Sequence, residues 1–467
     1  MYNKAYYHAE KQNDIWLITN DLGNYHFLSQ DEYDRFIRDE LSSDESLYLD
    51  LQDKGFLYTN KEHFIAVNSP RLEQMKSCLL DGTRLFIFVL TDACNQCCIY
   101  CQAGTAHHSQ MSLETCKKGI DMAVQAPVSH LTIEFQGGEP TANPEILKKA
   151  VSYAKEVFYK HGKTVDFSVV TNLTDPDTTL LQFFIDEDIS ISTSLDGPAG
   201  LHDYNRPLAV LKSSYAAWNK GLALLQELYK RADKPMQLGA LQTTTRESMK
   251  YPQEIVDEYI NHGFDTIYIR PLTPLGRAKT QWDRIGYTAE EFLSFYREAL
   301  AYMIELCRQG TYVREITASL YLQRILCRES VGHTEFRSPC GAGIGQMAIN
   351  YNGKVYTCDE GRMMANMGDE LFCLGTVDNT YKELIKSPVV HAVCTASCVE
   401  ALPFCSDCVY NPYCSACPVV SYGMESDLIS HDEESYKCKI AKGILSYLFD
   451  ILRDGAADTI EILESWI

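Results

Sequence analysis

A short segment with three regularly spaced cysteines constrains this chain more than any other feature. Cys94, Cys98 and Cys101 lie within residues 91–104, with three and then two residues between them. An apolar run at 85–90 precedes them and is typical of a buried strand. Three thiolates this close in sequence can converge on one soft metal centre. A [4Fe–4S] cluster held by three thiolates would keep one iron open to a small molecule.

The same spacing has two simpler explanations. Three clustered cysteines could be half of a zinc site, or they could be buried thiols that bind no metal. Cys97 lies among them but outside the regular spacing. We expect Cys97 to take no part in metal binding.

The composition limits which cellular compartment and which class of binding partner we expect. The chain has 467 residues, of which 45% are hydrophobic and 22% charged, as in ordinary globular proteins. It has no apolar run of about 18 residues and no apolar N-terminal signal segment, so we expect a cytoplasmic protein without a membrane span. In that compartment, the 18 cysteines are expected to bind metal rather than form disulfides. A net charge of −21 disfavours nucleic-acid binding.

The cysteine segment resembles the signature of the radical S-adenosylmethionine (SAM) superfamily. That signature is CxxxCxxC with an aromatic residue before the last cysteine, and Tyr100 fills this place. The resemblance implies that the three thiolates hold a [4Fe–4S] cluster whose open iron binds the amino and carboxylate groups of SAM. It also implies that one electron cleaves SAM to a 5′-deoxyadenosyl radical, which abstracts hydrogen from a substrate.

Strand-like and helical patterns alternate between residues 85 and about 274, which predicts an α/β fold. The expected helices include 113–125, 144–159 and 215–230. The six expected strands are 85–90, 131–136, 165–171, 189–194, 237–242 and 266–270. Six such units match the partial (β/α)6 barrel of the radical SAM family, in which functional residues gather at the C-terminal ends of the strands.

Polar and glycine residues follow several of these strands, where such a barrel would bind SAM. The resemblance assigns the loop after the second strand to the SAM amino group, and glycines there let the backbone approach a ligand closely. Short polar side chains after the third strand and on the fourth could hydrogen-bond to SAM. The residues concerned are Gln136, Gly137, Gly138, Glu139, Asn172, Ser192 and Ser194.

Two arginines complete the candidate cofactor-binding set. Peptide-modifying relatives often carry an arginine where Arg206 lies, and Arg270 at the end of the sixth strand could bind a carboxylate. For both residues a structural salt bridge is an equal alternative.

Residues 1–80 form a unit separate from the barrel in the sequence. Apolar runs at 15–19 and 25–28 flank a turn that contains Gly23, and helical patterns at 30–41 and 45–54 precede a short strand at 56–58. This order resembles the winged-helix-like element that binds leader peptides in ribosomal-peptide maturation. Such modules take up a peptide as an added strand of a sheet. The alternative is a packing domain without a ligand.

The cysteine density rises in residues 338–440. Before this region, we expect bridging helices in 286–337, at 287–308 and 313–329, and after it a C-terminal helix in 441–467. The cysteine spacing resembles the seven-cysteine SPASM extension of peptide-maturing radical SAM enzymes, although two rather than three residues separate Cys414 and Cys417. The resemblance implies two auxiliary [4Fe–4S] clusters. One would be held by Cys405, Cys408, Cys414 and Cys438, and the other by Cys340, Cys358 and Cys417.

The fourth ligand of the Cys340 cluster is left open by the spacing. Cys327 upstream could complete it, or one iron could stay open for a substrate group; Cys394 and Cys398 are further candidates. Zinc remains the alternative for the CxxC pairs. Asp359 follows Cys358, and the resemblance to sulfatase-maturing enzymes implies that it acts as a base during substrate oxidation.

The overall resemblance is to the His-Xaa-Ser system radical SAM maturases. It rests on RPLTPLG, GQMAINYNGKVYTCDEGRMM, CSDCVYNPYCSACPV and the N-terminal region. It implies an enzyme that oxidatively modifies, most simply by a crosslink, a ribosomally made precursor peptide with a leader. The other implied partners are an electron donor such as flavodoxin or ferredoxin, and a paired second radical SAM maturase. Two alternatives remain: a sulfatase-type formylglycine maturase, and a non-catalytic iron–sulfur or zinc scaffold.

Overall fold

The computed structural model describes residues 2–79, 81–103, 108–210, 212–429 and 433–467. Gly104, the last residue of the cysteine segment, lies outside these ranges. Within them, no helix has both the length and the apolar character needed to cross a membrane.

The N-terminal region, up to Leu79, contains a three-stranded antiparallel sheet and a separate two-stranded one. The strands are Asn3–Lys4 (β1), His8–Gln12 (β2), Ile15–Thr19 (β3), Tyr25–Ser29 (β4) and Leu57–Tyr58 (β5), and the helices are Gln30–Ile37 (α1), Ser46–Asp53 (α2) and Lys61–Met75 (α3). Helix α1 begins at Ser29, which forms a reciprocal capping box with Glu32. The expected hairpin, two helices and strand are therefore present.

Three of the labelled elements of this region, β1, β2 and α3, were not expected from the sequence. Strand β2 reads HAEKQ and has no apolar alternation, although it pairs along its whole length with β3. Helix α3 contains Pro70 and buries only Asn68 and Met75, so it has no apolar stripe.

Six parallel strands follow, each within about two residues of its expected position. They are Leu85–Thr91 (β6), His130–Gly137 (β7), Thr164–Val170 (β8), Ser190–Ser194 (β9), Leu238–Thr243 (β10) and Thr266–Arg270 (β11). Each pairs in parallel with the next, which confirms the α/β fold with a central parallel sheet. The helices between them are Leu113–Ala123 (α4), Pro144–Lys160 (α5), Thr178–Asp186 (α6), Ala199–Asn205 (α7), Ser214–Ala232 (α8) and Pro252–Asn261 (α9).

The remaining helices and strands follow β11 along the chain. The helices are Arg277–Thr280 (α10), Trp282–Ile285 (α11), Ala289–Arg308 (α12), Ile316–Leu322 (α13), Asp359–Asn366 (α14), Tyr381–Ile385 (α15), Pro388–Thr395 (α16), Pro418–Glu425 (α17), Tyr436–Asp454 (α18) and Ala457–Glu464 (α19). The strands are Arg314–Glu315 (β12), Gln346–Ile349 (β13), Lys354–Tyr356 (β14) and Cys373–Thr376 (β15).

Two expected helices differ from the observed ones. The helix expected at 313–329 is the short α13, followed by a π-helical turn at Gln323–Cys327 and by Arg328 in the left-handed region. The expected C-terminal helix at 441–467 is the end of α18 and a second helix, α19, because α18 ends at Asp454 with Gly455 as its C-cap.

The central sheet extends beyond the six strands on both sides. Strand β12 adds in parallel to β11, and β13 adds in parallel to β6, followed by antiparallel β14 and β15. In the described part of the chain this gives a ten-stranded sheet. The sheet therefore continues across the boundary expected at 337/338. Strand β13 is only four residues long and wholly buried, which leaves no alternation to detect in the sequence.

Strand β6 shows why the sheet is buried on both faces. Its sequence LFIFVLT is a continuous apolar run, as expected of a parallel strand covered on both sides. Phe86 and Phe88 belong to the main core, whereas Ile87 packs on the other face with Ala348 and Tyr356.

The N-terminal sheet is fixed to the C-terminal cysteine region rather than free of it. The Thr19 hydroxyl donates to the Val409 carbonyl oxygen at 2.7 Å, and the Gln12 amide donates to the Tyr410 hydroxyl at 2.5 Å. The Tyr413 hydroxyl donates to the Gly23 carbonyl oxygen at 3.1 Å. The N-terminal unit has its own apolar core, and these hydrogen bonds join it to residues 409–413.

Candidate functional site

A cavity of about 220 Å³ opens at the C-terminal ends of the parallel strands. Five strands end on residues that line it: Gly137, Val170, Ser194, Thr243 and Arg270. The other lining residues with polar or thiol groups include Cys94, Gln96, Cys98, Tyr100, Cys101, Gln102, Gln136, Glu139, Thr171, Asn172, Arg206 and Thr273. Most of the expected cofactor-binding residues thus meet in one place; Ser192 does not line the cavity.

The three cysteines of the first segment face this cavity together. Burial, together with a smaller effect of a charge on Cys101, raises the pKa of the Cys94 thiol to about 11 and that of the Cys98 thiol to about 12. The Cys97 amide donates to the Pro207 carbonyl oxygen at 2.8 Å, which ties this loop to the end of α7. Cys97 itself is exposed and lies outside the cavity lining.

Two glycines bring the loop after β7 against the cysteine loop. The amide of Gly138 donates to the Thr91 carbonyl oxygen at 2.8 Å. A β-carbon at Gly138 would lie 2.3 Å from the Ala93 carbonyl oxygen, and one at Gly137, where φ is +155°, would lie 2.2 Å from the Thr91 carbonyl oxygen. Only glycine permits this approach.

Glu139 organises the neighbouring loop from a buried position. Its carboxylate accepts hydrogen bonds from the Thr171 hydroxyl at 2.7 Å, the Asn172 amide at 2.7 Å and the Thr141 hydroxyl at 2.8 Å. Burial raises the pKa of this carboxyl, and the donors partly offset the shift. The Asn172 side-chain nitrogen lies 3.8 Å from the Cys94 sulfur, so this network reaches the thiols.

Arg206 forms the structural salt bridge that was one of its two expected roles. Its Nε lies 3.1 Å from Oδ1 of Asp196, which is fully buried. The Tyr100 hydroxyl donates to the same carboxylate at 2.7 Å, and the Arg206 guanidinium lies 5.3 Å from the centre of the Tyr100 ring. Since Arg206 also lines the cavity, the pair supports the cavity wall beside Cys98.

A second cavity, of about 120 Å³, shares several lining residues with the first. Gln102, Arg270 and Thr273 line both cavities, and Cys417 lines the second. Arg270 contacts Glu335 with 3.8 Å between Nη2 and Oε1, so it also makes a salt bridge. The charged residues of the second cavity are Arg270, Glu335, Glu360 and Lys437; the last three were not identified from the sequence.

The structure brings together Cys340, Cys358 and Cys417. All three thiols are in buried surroundings that raise their pKa values, and a charge on Cys417 acts on both other thiols. Cys327 is not brought to this group. The charged groups that act on its thiol in the described structure are Glu329 and Arg328, its neighbours along the chain.

Four other cysteines form a second group beside the N-terminal sheet. Cys405, Cys408 and Cys438 all act on the thiol of Cys414, and burial raises the pKa of Cys405 to about 12. Cys394 lies apart from both groups, near Cys398 and Arg337.

Asp359 is held by an ion pair rather than directed into a cavity. Arg362, which is buried, donates to Oδ1 of Asp359 from Nε at 2.8 Å, and its Nη2 lies 2.7 Å from the same oxygen. Asp359 lines neither cavity, whereas its neighbour Glu360 lines the second. Its expected role as a base therefore stays a prediction.

One family model matches the part of the chain that contains the three clustered cysteines. Residues 88–236 match the family model of the Radical SAM superfamily. This segment is a radical SAM domain.

Curated relatives of the chain include radical SAM enzymes. The chain is 26% identical to the uncharacterized protein MJ0907 of Methanocaldococcus jannaschii over 42% of this chain, but it covers only 65% of that protein, slightly under two thirds. It is 22% identical to the cysteine-type anaerobic sulfatase-maturating enzyme of Clostridium perfringens, covering 59% of this chain and 74% of the relative. It is 24% identical to the mycofactocin maturase MftC of Mycobacterium tuberculosis, covering 62% and 68%.

Two solved structures share the fold well beyond the radical SAM domain. Native anSMEcpe with bound AdoMet superposes with a TM-score of 0.67 at 19% identity, covering 82% of this chain and 99% of that one. SuiB of Streptococcus suis bound to precursor peptide SuiA superposes with a TM-score of 0.55 at 12% identity, covering 94% and 100%.

The residues of the radical SAM cavity fit the cofactors that the family implies. Three thiols line the cavity, and two glycines let the loop after β7 lie against the cysteine loop. The buried Gln96 side-chain nitrogen has no hydrogen-bond partner in the described structure. Cys94, Cys98 and Cys101 would hold the [4Fe–4S] cluster, and the loop of Gly138 and Glu139 would contact SAM. In the described ranges, no set of three or more His, Cys, Asp or Glu side chains is gathered around a single metal-ion position.

Proposed function

We propose that this chain is a radical SAM enzyme that oxidatively crosslinks a ribosomally made precursor peptide. The observation that carries the proposal is the shared lining of the two cavities by Gln102, Arg270 and Thr273. One cavity contains the Cys101 thiol and the other the Cys417 thiol. A peptide in the second cavity would therefore lie between the radical SAM site and the auxiliary thiols.

The cofactors would supply the radical and accept the electron, and the protein's own side chains would bind the peptide and accept the proton. When bound, the Cys94 cluster and SAM would supply a 5′-deoxyadenosyl radical, and two auxiliary clusters on the SPASM cysteines would supply acceptors for the electron that an oxidative reaction releases. Arg270 and Lys437 provide donors, and Glu335 an acceptor, for a peptide backbone in the second cavity. We propose Asp359 as the group that accepts the released proton, with Arg362 holding its carboxylate in place.

The N-terminal unit is the proposed leader-binding module. Strands β2 and β4 each have a neighbouring strand on one side only in the described three-stranded sheet. A leader segment could therefore add as a further strand. SuiB, whose fold covers 94% of this chain, is a structure bound to a precursor peptide, which supports this assignment.

The remaining parts of the proposal concern partners and subfamily. A flavodoxin or ferredoxin would act as the electron donor, and a second radical SAM maturase would act on the same peptide. Both follow from the resemblance to the His-Xaa-Ser system maturases.

Anaerobic reconstitution tests the proposal in two stages. With iron, sulfide, SAM and a reductant, the protein should release 5′-deoxyadenosine, which a non-catalytic scaffold would not do. With a co-expressed leader-bearing peptide, mass spectrometry should show the loss of two hydrogen atoms per crosslink. Turnover of SAM with no change in any leader-bearing peptide would contradict the crosslinking assignment.

A formylglycine maturase is the second candidate, favoured by the fold likeness to anSMEcpe over 82% of this chain. The two functions differ in their products and in the need for a leader. A maturase of this second kind would act on a leaderless sulfatase-derived peptide and give an aldehyde, which a hydrazide reagent detects. A crosslinking enzyme would give no aldehyde and would require the leader.

A further inference from the structure

A helix from the C-terminal cysteine region holds the end of the cysteine loop. The Ala103 carbonyl oxygen accepts a hydrogen bond from Nδ2 of Asn366 at 2.8 Å and a longer one from Nη1 of Arg362 at 3.4 Å. Both donors lie on α14, four residues apart, so they leave the same face of the helix. Ala103 and Met363 of α14 both line the radical SAM cavity. Helix α14 therefore reaches the wall of that cavity.

The residues before Ala103 are held by the chain that follows β11. The Arg277 amide donates to the Cys101 carbonyl oxygen at 3.0 Å, and the Gln102 side-chain amide donates to the Thr273 carbonyl oxygen at 2.8 Å. These bonds join the cysteine loop to the end of the parallel sheet. The bonds of Ala103 to α14 extend this support to a helix outside the segment 88–236 that matches the radical SAM family.

Helix α14 is itself anchored along its length. Its cap, Cys358, has its sulfur 3.3 Å from the Gly361 amide. The buried Arg362 donates from Nε to Oδ1 of Asp359 at 2.8 Å. A β-carbon at Gly423 of α17 would lie 3.3 Å from the Met364 sulfur, so the two helices pack closely. A side chain on a helix held in this way can fix the position of a loop.

We propose that Asn366 is a positioning residue for the SAM site. By donating to the Ala103 carbonyl oxygen, it holds the end of the cysteine loop in the position that binds SAM. The inference rests on the proposed function, in which SAM binds beside Cys94, Cys98 and Cys101. It goes beyond that function because it gives the C-terminal region a part in binding the cofactor as well as the peptide.

Calorimetric titration of the reconstituted protein with SAM tests the inference. Asn366→Ala removes one hydrogen-bond donor, so the Kd for SAM should rise about 3- to 10-fold. Asn366→Asp keeps the shape but turns a carboxylate oxygen towards the Ala103 carbonyl oxygen, so SAM should bind more weakly still. Asn352→Ala is the matched control. The Asn352 side chain is exposed and accepts from the Lys354 amide at 3.1 Å within its own turn, so this variant should bind SAM as the wild type does.

Hydrogen exchange of the metal-free protein gives a second readout that needs no cofactor. The Cys101 amide donates to the Cys98 carbonyl oxygen at 3.2 Å. Amides in residues 98–103 should exchange faster in both Asn366 variants than in the wild type or Asn352→Ala, because the end of the loop is released. Amides of β6, which lie in the central sheet, should exchange at the wild-type rate.

The outcomes separate this inference from the proposed function. Wild-type affinity for SAM in both Asn366 variants would overturn the inference and leave the radical SAM enzyme intact. Exchange that is equally faster in β6 and in residues 98–103 would also overturn it, because that pattern shows a general loss of stability. Wild-type protein that takes up iron but binds no SAM would contradict the proposed function instead. If Asn366→Asp fails to fold, Asn366→Ala decides.

Discussion

Arg206 and Asp196 form a buried ion pair in the wall of the radical SAM cavity, with 3.1 Å between Nε and Oδ1. Asp196 also accepts the hydroxyl of Tyr100, the aromatic residue of the cysteine signature. The pair thus connects the end of β9 to the loop that carries the three thiols. This arrangement gives the aromatic residue of the motif a structural role, because its hydroxyl anchors the loop.

Removing one member of this ion pair should lower the stability of the fold. Arg206→Met leaves the Asp196 carboxylate buried without its cation, so we expect the free energy of unfolding to fall by about 3–5 kcal/mol. Urea denaturation of the metal-free protein measures the change. Arg231→Ala, which breaks an exposed pair with Glu227, is the control and should cost about 1 kcal/mol or less. Equal losses in the two variants would show that burial adds nothing to the pair.

The close approach at Gly138 predicts a strong effect of a single methyl group. Gly138→Ala would place Cβ 2.3 Å from the Ala93 carbonyl oxygen, so the cysteine loop must shift. We expect a loss of about 1–3 kcal/mol and weaker SAM binding, measured by calorimetry on the reconstituted protein. Gly239→Ala in β10 has nothing within 4 Å of the added carbon and should bind SAM as the wild type does.

The four cysteines of the first segment should separate into two classes. Alanine at Cys94, Cys98 or Cys101 removes a thiol from the cavity, so each variant should lose 5′-deoxyadenosine production. Cys97→Ala should retain it, because Cys97 is exposed and outside the cavity lining. Chromatographic detection of 5′-deoxyadenosine after anaerobic reconstitution distinguishes the two classes. Loss of activity in Cys97→Ala would require a different set of ligands.

Glu400 predicts a dependence of stability on pH. Burial alone would raise the pKa of its carboxyl, but Lys76 and the Ser338 hydroxyl, which donates at 2.5 Å, lower the pKa to about 2. A carboxyl with a depressed pKa stabilises the fold above its ordinary value of 4.5, and this stabilisation is lost as the pH falls towards about 2.

Glu400→Gln tests this linkage. Relative to wild type, we expect the metal-free variant to be about 1–2 kcal/mol less stable at pH 7, after allowance for partial exposure, and to approach wild type at low pH. Urea denaturation across the pH range measures the difference. Glu156→Gln, at an exposed pair with Lys160, is the control and should show a smaller dependence. A deficit that does not change with pH would contradict the assignment.

The sequence predicted the elements with strong local patterns. The six parallel strands have continuous apolar runs or alternation, and Cys94, Cys98 and Cys101 lie close together in the sequence. Strand β2 was not predicted because its residues are mostly polar. Strand β13 was not predicted because its four residues are all buried and show no alternation of apolar and polar residues.

Long-range proximity was harder to predict than local structure. Glu335, Glu360 and Lys437 meet in one cavity although more than 100 residues separate the first from the last. No spacing rule in one sequence encodes such a meeting. Cys327 shows the opposite case: it was a plausible ligand by order along the chain, but a π-helical turn and the left-handed Arg328 place it elsewhere.

The contact of the N-terminal sheet with residues 409–413 has a consequence for engineering. Thr19 and Gln12 bond to Val409 and Tyr410, which lie between two cysteines of the second group. A chimera that transplants the first 80 residues onto another scaffold would sever these bonds and expose the surface they cover. Recombination should therefore exchange the 405–414 loop together with the N-terminal unit, because the two behave as one interchangeable part.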